Sequence, residues 1–260
     1  MSETRKTLEV MKITRAERGA VEDEVTREVP VTVFLNGQEL VTLLASPAYL
    51  KDLAVGFLLS EGLLDEPQDL RSVVLYERQG VVNVETSDEK EIPEGFFEKR
   101  TITSGCGKGT AFYSPLDVFK PHRVRSNALF SADTILGLMR KLNGQSELFR
   151  ATGGVHSCGL CDHSDILVFR EDIGRHNALD KVFGECFLKG IPTADKMVLT
   201  SGRITSEVLL KVARREVPLI ASKSAPTDLA VGLALKTGVT VVGFVRGSRM
   251  NVYTHSQRVS

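Results

Sequence analysis

The chain has 260 residues, of which 42% are hydrophobic and 25% are charged, and its 33 basic and 33 acidic side chains give a formal net charge of zero. A chain of this length can bury a core large enough to fold without disulfides or a structural metal. Zero net charge argues against a general nucleic-acid binder, and no apolar run approaches the roughly 20 residues of a membrane-spanning helix. The charged N-terminus is unlike a signal peptide, so we expect a cytoplasmic protein with neither nucleic-acid nor membrane partners.

The zero balance hides an uneven distribution of charge along the chain. Residues 51–98 hold 12 acidic and 4 basic side chains, whereas residues 203–258 hold 9 basic and 3 acidic ones, and residues 99–150 carry the same basic excess. Two differently solvated faces would produce this pattern, and so would basic segments that surround an anionic ligand. Both interpretations stay open at this point.

The N-terminal segment predicts an arm followed by a hairpin. Residues 1–25 are polar, charged and without a period, which indicates a flexible N-terminal arm. Two β-rich runs over residues 29–36 and 38–45 meet at Asn36-Gly37. This dipeptide tolerates the positive φ angles of a tight turn, so the two runs predict a β-hairpin.

The rest of the N-terminal half predicts a small α+β domain. Ser46-Pro47 has the composition of a helix start, with serine as the cap and proline at the first helical position. Residues 73–77 and 81–85 predict a second pair of strands, and residues 103–125 lose all periodicity and indicate a loop. We therefore expect an α+β N-terminal domain over residues 26–125 that ends in a glycine-rich loop.

The C-terminal half alternates between strands and helices after Ser131, which is a predicted helix cap. Candidate strands span residues 166–169, 197–200, 218–221 and 239–245, and candidate helices lie near residues 175–188, 204–215 and 226–237. Such alternation predicts βαβ units, a largely parallel sheet and helices on both faces, here over residues 126–260. Ligands of such sheets bind at the carboxyl ends of the strands, which directs attention to the loops 171–176, 201–203 and 246–249.

Cys106 stands between two glycines in the most unusual stretch of the chain, residues 103–110. Neighbouring side chains add little bulk, and nearby basic residues such as Lys108 favour the thiolate, so this thiol is predicted to be exposed and nucleophilic. A small buried cysteine is the alternative, although a glycine-rich loop suits it poorly. A phosphate-binding loop needs serine or threonine after the lysine, and here Gly109 follows Lys108, which excludes a Walker-type nucleotide hydrolase.

Cys158 and Cys161 form a Cys-x-x-Cys pair beside His156 and His163. The pair supplies only half of a tetrahedral zinc site, and a zinc nucleobase deaminase would need a glutamate two residues after its histidine. Structural cysteines are therefore the favoured interpretation, with a metal site and a redox dithiol as alternatives. Cys186 lies among apolar helix residues and is interpreted as part of the core.

Two further segments carry polar side chains that suit binding. Residues 171–181 concentrate charged and polar groups where a strand meets a helix, which favours a binding site over a purely structural role, although an acid–base role for His176 is only a hypothesis. Arg246 and Arg249 follow the last predicted strand. Guanidinium groups and open backbone N–H groups suit phosphate oxygens, and a solvated arginine pair is the alternative.

Five segments together resemble the FdhD/NarQ family, the accessory sulfur-carrier proteins needed for formate dehydrogenase activity. They are Thr152-Gly153-Gly154-Val155-His156, residues 171–181, Ser201-Gly202-Arg203, Ser224-Ala225-Pro226-Thr227 and residues 243–253. The resemblance implies a cytidine-deaminase-like, three-layer α/β/α C-terminal core without the deaminase chemistry. It also implies transfer of sulfur from a cysteine desulfurase to the molybdenum bis(molybdopterin guanine dinucleotide) cofactor, which is a bound substrate, with no metal of the protein's own.

The resemblance assigns roles to particular residues. Cys106 would carry the sulfur as a persulfide and is the expected catalytic residue. The expected cofactor-binding residues are those of the loop after the last strand: Phe244, Val245, Arg246, Gly247, Ser248 and Arg249. The expected partners are a cysteine desulfurase, a formate dehydrogenase, the guanine nucleotide moiety of the cofactor and a second copy of the chain in a homodimer.

The sequence departs from the family at one position. Many members carry Cys-Gly-x-Cys in the glycine-rich loop, whereas here Gly109 stands where they have the second cysteine. We favour Cys106 acting alone over participation of Cys158 and Cys161. Two other functions remain as alternatives: a zinc-dependent nucleobase or pterin hydrolase that uses His156, Cys158 and Cys161, and a non-catalytic chaperone that delivers the cofactor.

Overall fold

The computed structural model describes residues 3–87 and 123–260, together with the backbone of two short strands between them. The N-terminal residues form a β-hairpin rather than the predicted arm. Strand β1 (Arg5–Ile13) pairs antiparallel with β2 (Arg18–Thr26) along its whole length. Both strands mix charged and apolar residues without regular alternation, and this mixture concealed the strand period in the sequence. Thr26 Oγ1 and Thr152 Oγ1 lie 2.7 Å apart and link the base of the hairpin to the C-terminal half.

A four-stranded sheet and one helix follow, as predicted for an α+β unit. Their bounds are β3 (Val29–Leu35), β4 (Gln38–Ala45), α1 (Leu50–Glu61), β5 (Leu70–Tyr76) and β6 (Val81–Thr86). The strand order is β4-β3-β6-β5, in which only the β3–β6 pair is parallel. The predicted turn between β3 and β4 is confirmed, with φ of 51° at Asn36 and 79° at Gly37. Ser46 does not cap α1, because the helix begins only after Tyr49.

Strands β7 (Thr101–Ile102) and β8 (Thr110–Ala111) pair antiparallel on either side of residues 103–109. The C-terminal half then runs through α2 (Ala132–Gln145), α3 (Glu147–Thr152), β9 (His156–Cys161), β10 (Ile166–Asp172), α4 (Arg175–Leu188), β11 (Met197–Thr200), α5 (Ser206–Arg214), β12 (Leu219–Ser222), α6 (Asp228–Thr237), β13 (Thr240–Arg246) and β14 (Arg249–Val252). The predicted strands and helices are present, and Ser131 caps α2 by accepting the N–H of Thr134 at 3.0 Å.

The C-terminal sheet has the order β10-β9-β11-β12-β13-β14. Strands β11, β12 and β13 are parallel, whereas β9 is antiparallel to both of its neighbours and β14 is antiparallel to β13. The prediction of a largely parallel sheet therefore holds only for its centre. Strand β9 was missed because its cysteines and histidine suggested a ligand motif, and β14 was missed because its arginine suggested a loop.

Helices cover both faces of the C-terminal sheet. Helices α4, α5 and α6 pack on one face, where Val182, Leu209 and Leu233 join one buried apolar cluster. Helix α2 packs on the opposite face, where Ile135 and Leu142 belong to a second cluster. The predicted fold class is confirmed: a three-layer α/β/α core with a smaller α+β unit at its N-terminal side.

Helix α1 joins the two halves. Nine of its residues are buried, against the N-terminal sheet on one side and α4 on the other. The two helices cross at Gly56 and Gly184, where an added Cβ would overlap the backbone of Asp180 and Asp52 respectively. Only glycine permits this approach. No helix among the described residues is long and apolar enough to cross a membrane.

Candidate functional site

The carboxyl ends of β10, β11, β12 and β13 lie at one edge of the C-terminal sheet, and a cavity of about 440 Å³ opens there. Its described lining residues come from five separate segments: Phe149, Gly153, Gly154, Val155, His156, Ile173, Ser201, Lys223, Ser224 and Arg246. The location agrees with the expectation that ligands of such sheets bind where strands end and loops gather. The volume lies within the range of small-ligand sites, roughly 300–1,000 Å³.

Backbone and hydroxyl contacts hold these segments together. Ser201 donates its N–H to the Ser157 carbonyl at 2.9 Å, and its Oγ accepts the Ser157 N–H at 3.0 Å. Ser222 Oγ donates to the Gly202 carbonyl at 2.6 Å and accepts the N–H of Ser224 at 2.9 Å. A Cβ at Gly202 would lie 2.9 Å from Cβ of Arg175, so glycine permits the close approach between two of the loops.

His156 is the titratable aromatic side chain of the cavity. Its Nδ1 lies 3.4 Å from Ser201 Oγ. Partial burial lowers the pKa of His156, the positive charges of Arg175 and Arg203 lower it further, and Asp172 opposes them. The imidazole is therefore neutral at neutral pH, with one nitrogen as a hydrogen-bond donor and the other as an acceptor.

The two charged groups among the described lining residues are both cationic. Lys223 lies directly after β12, and Arg246 ends β13. Arg246 donates from Nε to the Lys223 carbonyl at 2.9 Å, which fixes the stem of the arginine and leaves its two terminal nitrogens for a ligand. None of the described lining residues is acidic. A cavity with this lining suits an anionic ligand.

The loop predicted to bind the cofactor is a tight β13–β14 connection. Arg246 and Arg249 face each other across it, and Gly247 takes a φ of 60° at the turn. Phe244 also has a positive φ, 54°, which is strained for a residue with a Cβ and is typical of functional positions. Of the six predicted residues, Arg246 lines the cavity, Gly247, Ser248 and Arg249 are exposed, and the Val245 side chain is buried in the core.

Most polar side chains of segment 171–181 make structural contacts, and Ile173 of the same segment lines the cavity, so a binding role for the segment stays a prediction. Asp172 and Lys181 form a buried ion pair, with Nζ 2.5 Å from Oδ2, and both contact Ser46. Asn177 donates to Asp172 Oδ1 at 3.0 Å and to the Leu44 carbonyl at 2.8 Å. These bonds join the N-terminal unit to the C-terminal sheet, and the position of Ser46 explains why it does not act as a helix cap.

A second buried ion pair continues this network. Lys211 donates to Asp180 Oδ2 at 2.5 Å, and Ser60 donates to Asp180 Oδ1 at 2.6 Å. Burial raises the pKa of Asp180, whereas its two donors lower it. The pair ties α1, α4 and α5 together and does not belong to the cavity lining.

Two more side chains at this end of α4 have partners of their own. Glu171 accepts the N–H groups of Leu148 and Phe149 at 3.3 and 3.2 Å and so caps α3. His176 Nδ1 lies 3.3 Å from Glu207 Oε2. Burial, followed by the charges of Lys211 and Arg175, lowers the pKa of His176 to about 3, so it is neutral at neutral pH. Neither side chain is among the residues that line the cavity.

Cys158 and Cys161 lie on opposite faces of β9. Cys158 packs in the cluster under α4, α5 and α6, whereas Cys161 packs in the cluster under α2. Burial raises the pKa of Cys158 well above its ordinary value and raises that of Cys161 to about 12. The two thiols cannot converge on one metal ion or form a redox pair, which contradicts the hydrolase alternative based on His156, Cys158 and Cys161. Cys186 is buried, as predicted, with its pKa raised to about 12.

The described part of the chain contains no group of three or more histidine, cysteine, aspartate or glutamate side chains that could hold a metal ion. Cys106 and its glycine-rich segment lie outside the described residues. The fold and the site together define a mixed α/β protein with a cationic cavity at the carboxyl edge of its sheet, in which the two thiols of β9 are part of the core.

Comparisons with known proteins name the family. The model described as the FdhD/NarQ family matches residues 26–260. Relatives named Sulfur carrier protein FdhD are 47% identical over 238 residues in Bacillus pumilus, with 92% of this chain and 91% of the relative covered, and 42% identical over 251 residues in Bacillus subtilis, with 96% of each covered. A crystal structure described as that of a formate dehydrogenase accessory protein from Desulfotalea psychrophila has a TM-score of 0.81 and 27% identity, over 99% of this chain and 100% of that one. The chain belongs to the FdhD/NarQ family.

The sequence located part of the cavity and missed the rest. Each of the five segments that carry the family resemblance supplies a lining residue, and the structure brings them to one place: His156, Ile173, Ser201, Ser224 and Arg246. Lys223 and Phe149 were not identified. Lys223 directly follows a predicted strand of the parallel centre of the sheet, and this position could have marked it as a binding residue. Phe149 is a single apolar residue in a short helix, and nothing in the sequence around it indicates a binding role.

Proposed function

We propose that this chain is a sulfur carrier that accepts sulfur on Cys106 and delivers it to the molybdenum bis(molybdopterin guanine dinucleotide) cofactor of a formate dehydrogenase. The observation that carries the proposal is the convergence of all five family segments on one cationic cavity, in a chain that belongs to the FdhD/NarQ family. Relatives carry the name sulfur carrier, and a structural relative is described as a formate dehydrogenase accessory protein.

Acceptance of sulfur is a thiol exchange on Cys106. Its thiolate attacks the terminal sulfur of a persulfide on a cysteine desulfurase, a new S–S bond forms on Cys106, and the desulfurase cysteine leaves as a thiolate. The exchange is balanced without an external oxidant or reductant. The lysine near Cys106 favours the thiolate that this attack requires, and the flanking glycines add little bulk around it.

Delivery of the sulfur as sulfide consumes two electrons. Cys158, Cys161 and Cys186 are buried with raised pKa values and are poorly suited to resolve a persulfide on Cys106. Gly109 stands where many family members have a second loop cysteine. Two external thiols, oxidised together to one disulfide, therefore supply the electrons and return Cys106 to its thiol form.

The cofactor is a substrate in this proposal, and the cavity holds an anionic part of it. Arg246 and Lys223 contact phosphate oxygens, as their positions in the lining suggest. A cavity of about 440 Å³ accommodates one nucleotide or pterin moiety, and the remainder of the cofactor extends over the exposed Gly247, Ser248 and Arg249.

The test is to incubate the purified protein with a cysteine desulfurase and cysteine and to measure its intact mass. The wild type is expected to gain sulfur, Cys106→Ala is expected to gain none, and the matched control Cys161→Ala is expected to behave as the wild type. An adduct that persists in Cys106→Ala would overturn the assignment. Full activation of a formate dehydrogenase by Cys106→Ala would instead favour the delivery chaperone without sulfur transfer.

The proposal also includes direct contact with the desulfurase and the dehydrogenase, and a homodimer. Light scattering of the purified chain tests the homodimer. The expected result is a mass equal to that of two chains. Co-purification of the chain with each partner tests the two contacts.

A further inference from the structure

Phe149 is an apolar side chain in an unusual place. It lies in the short helix α3, lines the cavity, and exposes 45% of its surface. A phenylalanine is ordinarily among the more buried residue types, and a single exposed one on an open surface would mean little. An exposed ring inside a cavity that also holds cationic and neutral polar groups has the composition of a small-molecule site.

The backbone holds Phe149 in a defined position. Glu171 accepts the N–H groups of Leu148 and Phe149, and helix α3 ends at Gly153, whose N–H donates to the Phe149 carbonyl at 2.7 Å. Gly153 takes a φ of 66°, and a Cβ at this position would meet nothing within 4 Å. Phe149 therefore lines the cavity from a capped helix, and open space adjoins its carboxyl end.

The other lining groups complement a planar ring that carries a phosphate. Lys223 and Arg246 are cationic, whereas His156 is neutral and Ser201 offers a hydroxyl. Cations bind phosphate oxygens, neutral donors and acceptors match the edge of a heterocycle, and an aromatic face stacks on its plane. Phosphate binding alone would use the cations and leave the phenylalanine without a role.

We infer that Phe149 is a stacking platform for the planar heterocycle of a phosphate-bearing ligand, either a guanine or a pterin. The inference rests on the proposed function, because the proposed substrate contains both heterocycles, and it adds a binding residue outside the loop at residues 244–249. His156 and Ser201 contact the edge of the same heterocycle. Arg246 and Lys223 bind its phosphate.

The absence of tryptophan from the chain provides a direct test. Phe149→Trp places a single indole at the proposed platform, and an indole is quenched when a heterocycle stacks on it. Leu235→Trp is the matched control, because Leu235 is 58% exposed on the last turn of α6, at the opposite edge of the sheet. The probes are GDP, dihydroneopterin monophosphate and inorganic pyrophosphate.

Saturable quenching of the Phe149→Trp indole by GDP or by the pterin phosphate, with none by pyrophosphate and none in Leu235→Trp, is the expected result. The more effective probe identifies the heterocycle. In calorimetry, Phe149→Ala is expected to weaken binding of that probe by roughly 5- to 150-fold, the range for loss of one stacked base, and to leave pyrophosphate binding unchanged.

Failure of the inference is distinct from failure of the proposed function. Binding of GDP to the wild type that is lost in Arg246→Ala but unchanged in Phe149→Ala would overturn the stacking role and leave the cationic cavity in place. Binding of no probe to the wild type would overturn both the stacking role and the proposed binding of the cofactor in this cavity, whereas acceptance of sulfur on Cys106 is tested separately by intact mass. Equal quenching by pyrophosphate would also contradict the stacking role, since pyrophosphate has no ring.

Discussion

Lys181 and Asp172 form an ion pair that is completely shielded from solvent, with 2.5 Å between Nζ and Oδ2 and 0% exposure of either side chain. Ser46 completes the cluster, since its carbonyl and hydroxyl oxygens accept from Lys181 at 3.0 Å and its N–H donates to Asp172. Burial lowers the pKa of Lys181, and the charge of Asp172 opposes this shift. The pair fixes the chain between β4 and α1 to the carboxyl end of β10.

Lys181→Met is expected to cost about 3–5 kcal/mol of the free energy of unfolding, because it leaves the buried Asp172 carboxylate without its cation. Denaturant unfolding followed by circular dichroism measures the loss. The control is Lys141→Met, which removes an exposed pair with Asp165 and is expected to leave the free energy of unfolding nearly unchanged, because solvent screens such a pair. Equal losses in the two variants would contradict the structural role of the buried pair.

Gly184→Ala is expected to destabilise the protein strongly, because a Cβ there would overlap the backbone of Asp52 and push α1 away from α4. Overpacking of a close-packed contact ordinarily costs about 1–3 kcal/mol, and a clash with backbone lies at the upper end of this range. Thermal unfolding measures the effect.

Gly137→Ala in α2 is the matched control for the glycine at the crossing. A Cβ at Gly137 meets nothing within 4 Å, and alanine favours a helix over glycine by roughly 0.5–1 kcal/mol. This variant is therefore expected to be slightly more stable than the wild type. The same sign of change in both glycine variants would argue against the close crossing.

The N-terminal hairpin β1–β2 and strand β9 show what the sequence did not predict. Strand β9 packs Cys158 on one face and Cys161 on the other, so its cysteines follow the period of a buried strand, but a cysteine pair beside two histidines resembles a ligand set as closely. The hairpin mixes charged and apolar residues on both faces, because most of it is exposed. Local patterns do not distinguish such a ribbon from an irregular arm.

The elements with clear local signals were predicted well. The turn at Asn36-Gly37, the cap at Ser131 and the helix over residues 175–188 each depend on interactions within a few residues. The roles of Asp172 and Lys181 depend on Ser46, more than a hundred residues away in the chain, and no periodicity reports such a contact. The sequence therefore does not show that these two side chains of the segment serve the packing of the two halves.

His176 is expected to make stability depend on pH. Its pKa is about 3 in the folded protein against an ordinary value of 6.5, so between these values the unfolded chain binds a proton that the folded chain does not. The free energy of unfolding therefore falls as the pH is lowered from about 6.5 towards about 3. His176→Asn keeps a donor near Glu207 but cannot titrate, and its loss of stability over this range is expected to be smaller.

The measurement is denaturant unfolding of both proteins across this pH range. Burial raises the pKa values of Asp52, Glu171 and Asp180, and these groups change stability in the opposite direction in both proteins. The difference between the two profiles is therefore the relevant quantity. Parallel profiles would show that His176 does not carry the effect.

Arg246→Ala is expected to weaken binding of GDP and pyrophosphate by about 1.5–3 kcal/mol, the scale of a hydrogen bond to a charged group. Arg249 faces Arg246 across the turn but is exposed and outside the described cavity lining, so Arg249→Ala is expected to cost less, about 1 kcal/mol or below. Calorimetry of the two variants measures the difference. An equal or larger effect of Arg249→Ala would place the phosphate outside the cavity.

The four cysteines are expected to differ sharply in reactivity. The thiolate is the reactive form. Burial raises the pKa values of Cys161 and Cys186 to about 12 and that of Cys158 well above its ordinary value, in positions that a reagent reaches only after opening of the core. A disulfide reagent such as Ellman's is therefore expected to titrate one fast thiol in the native protein and all four in denaturant. Cys106→Ala is expected to lose the fast thiol and no other. A fast thiol that survives in this variant would mean that one of the core cysteines is accessible, and the sulfur-accepting role would have to be reconsidered for that residue.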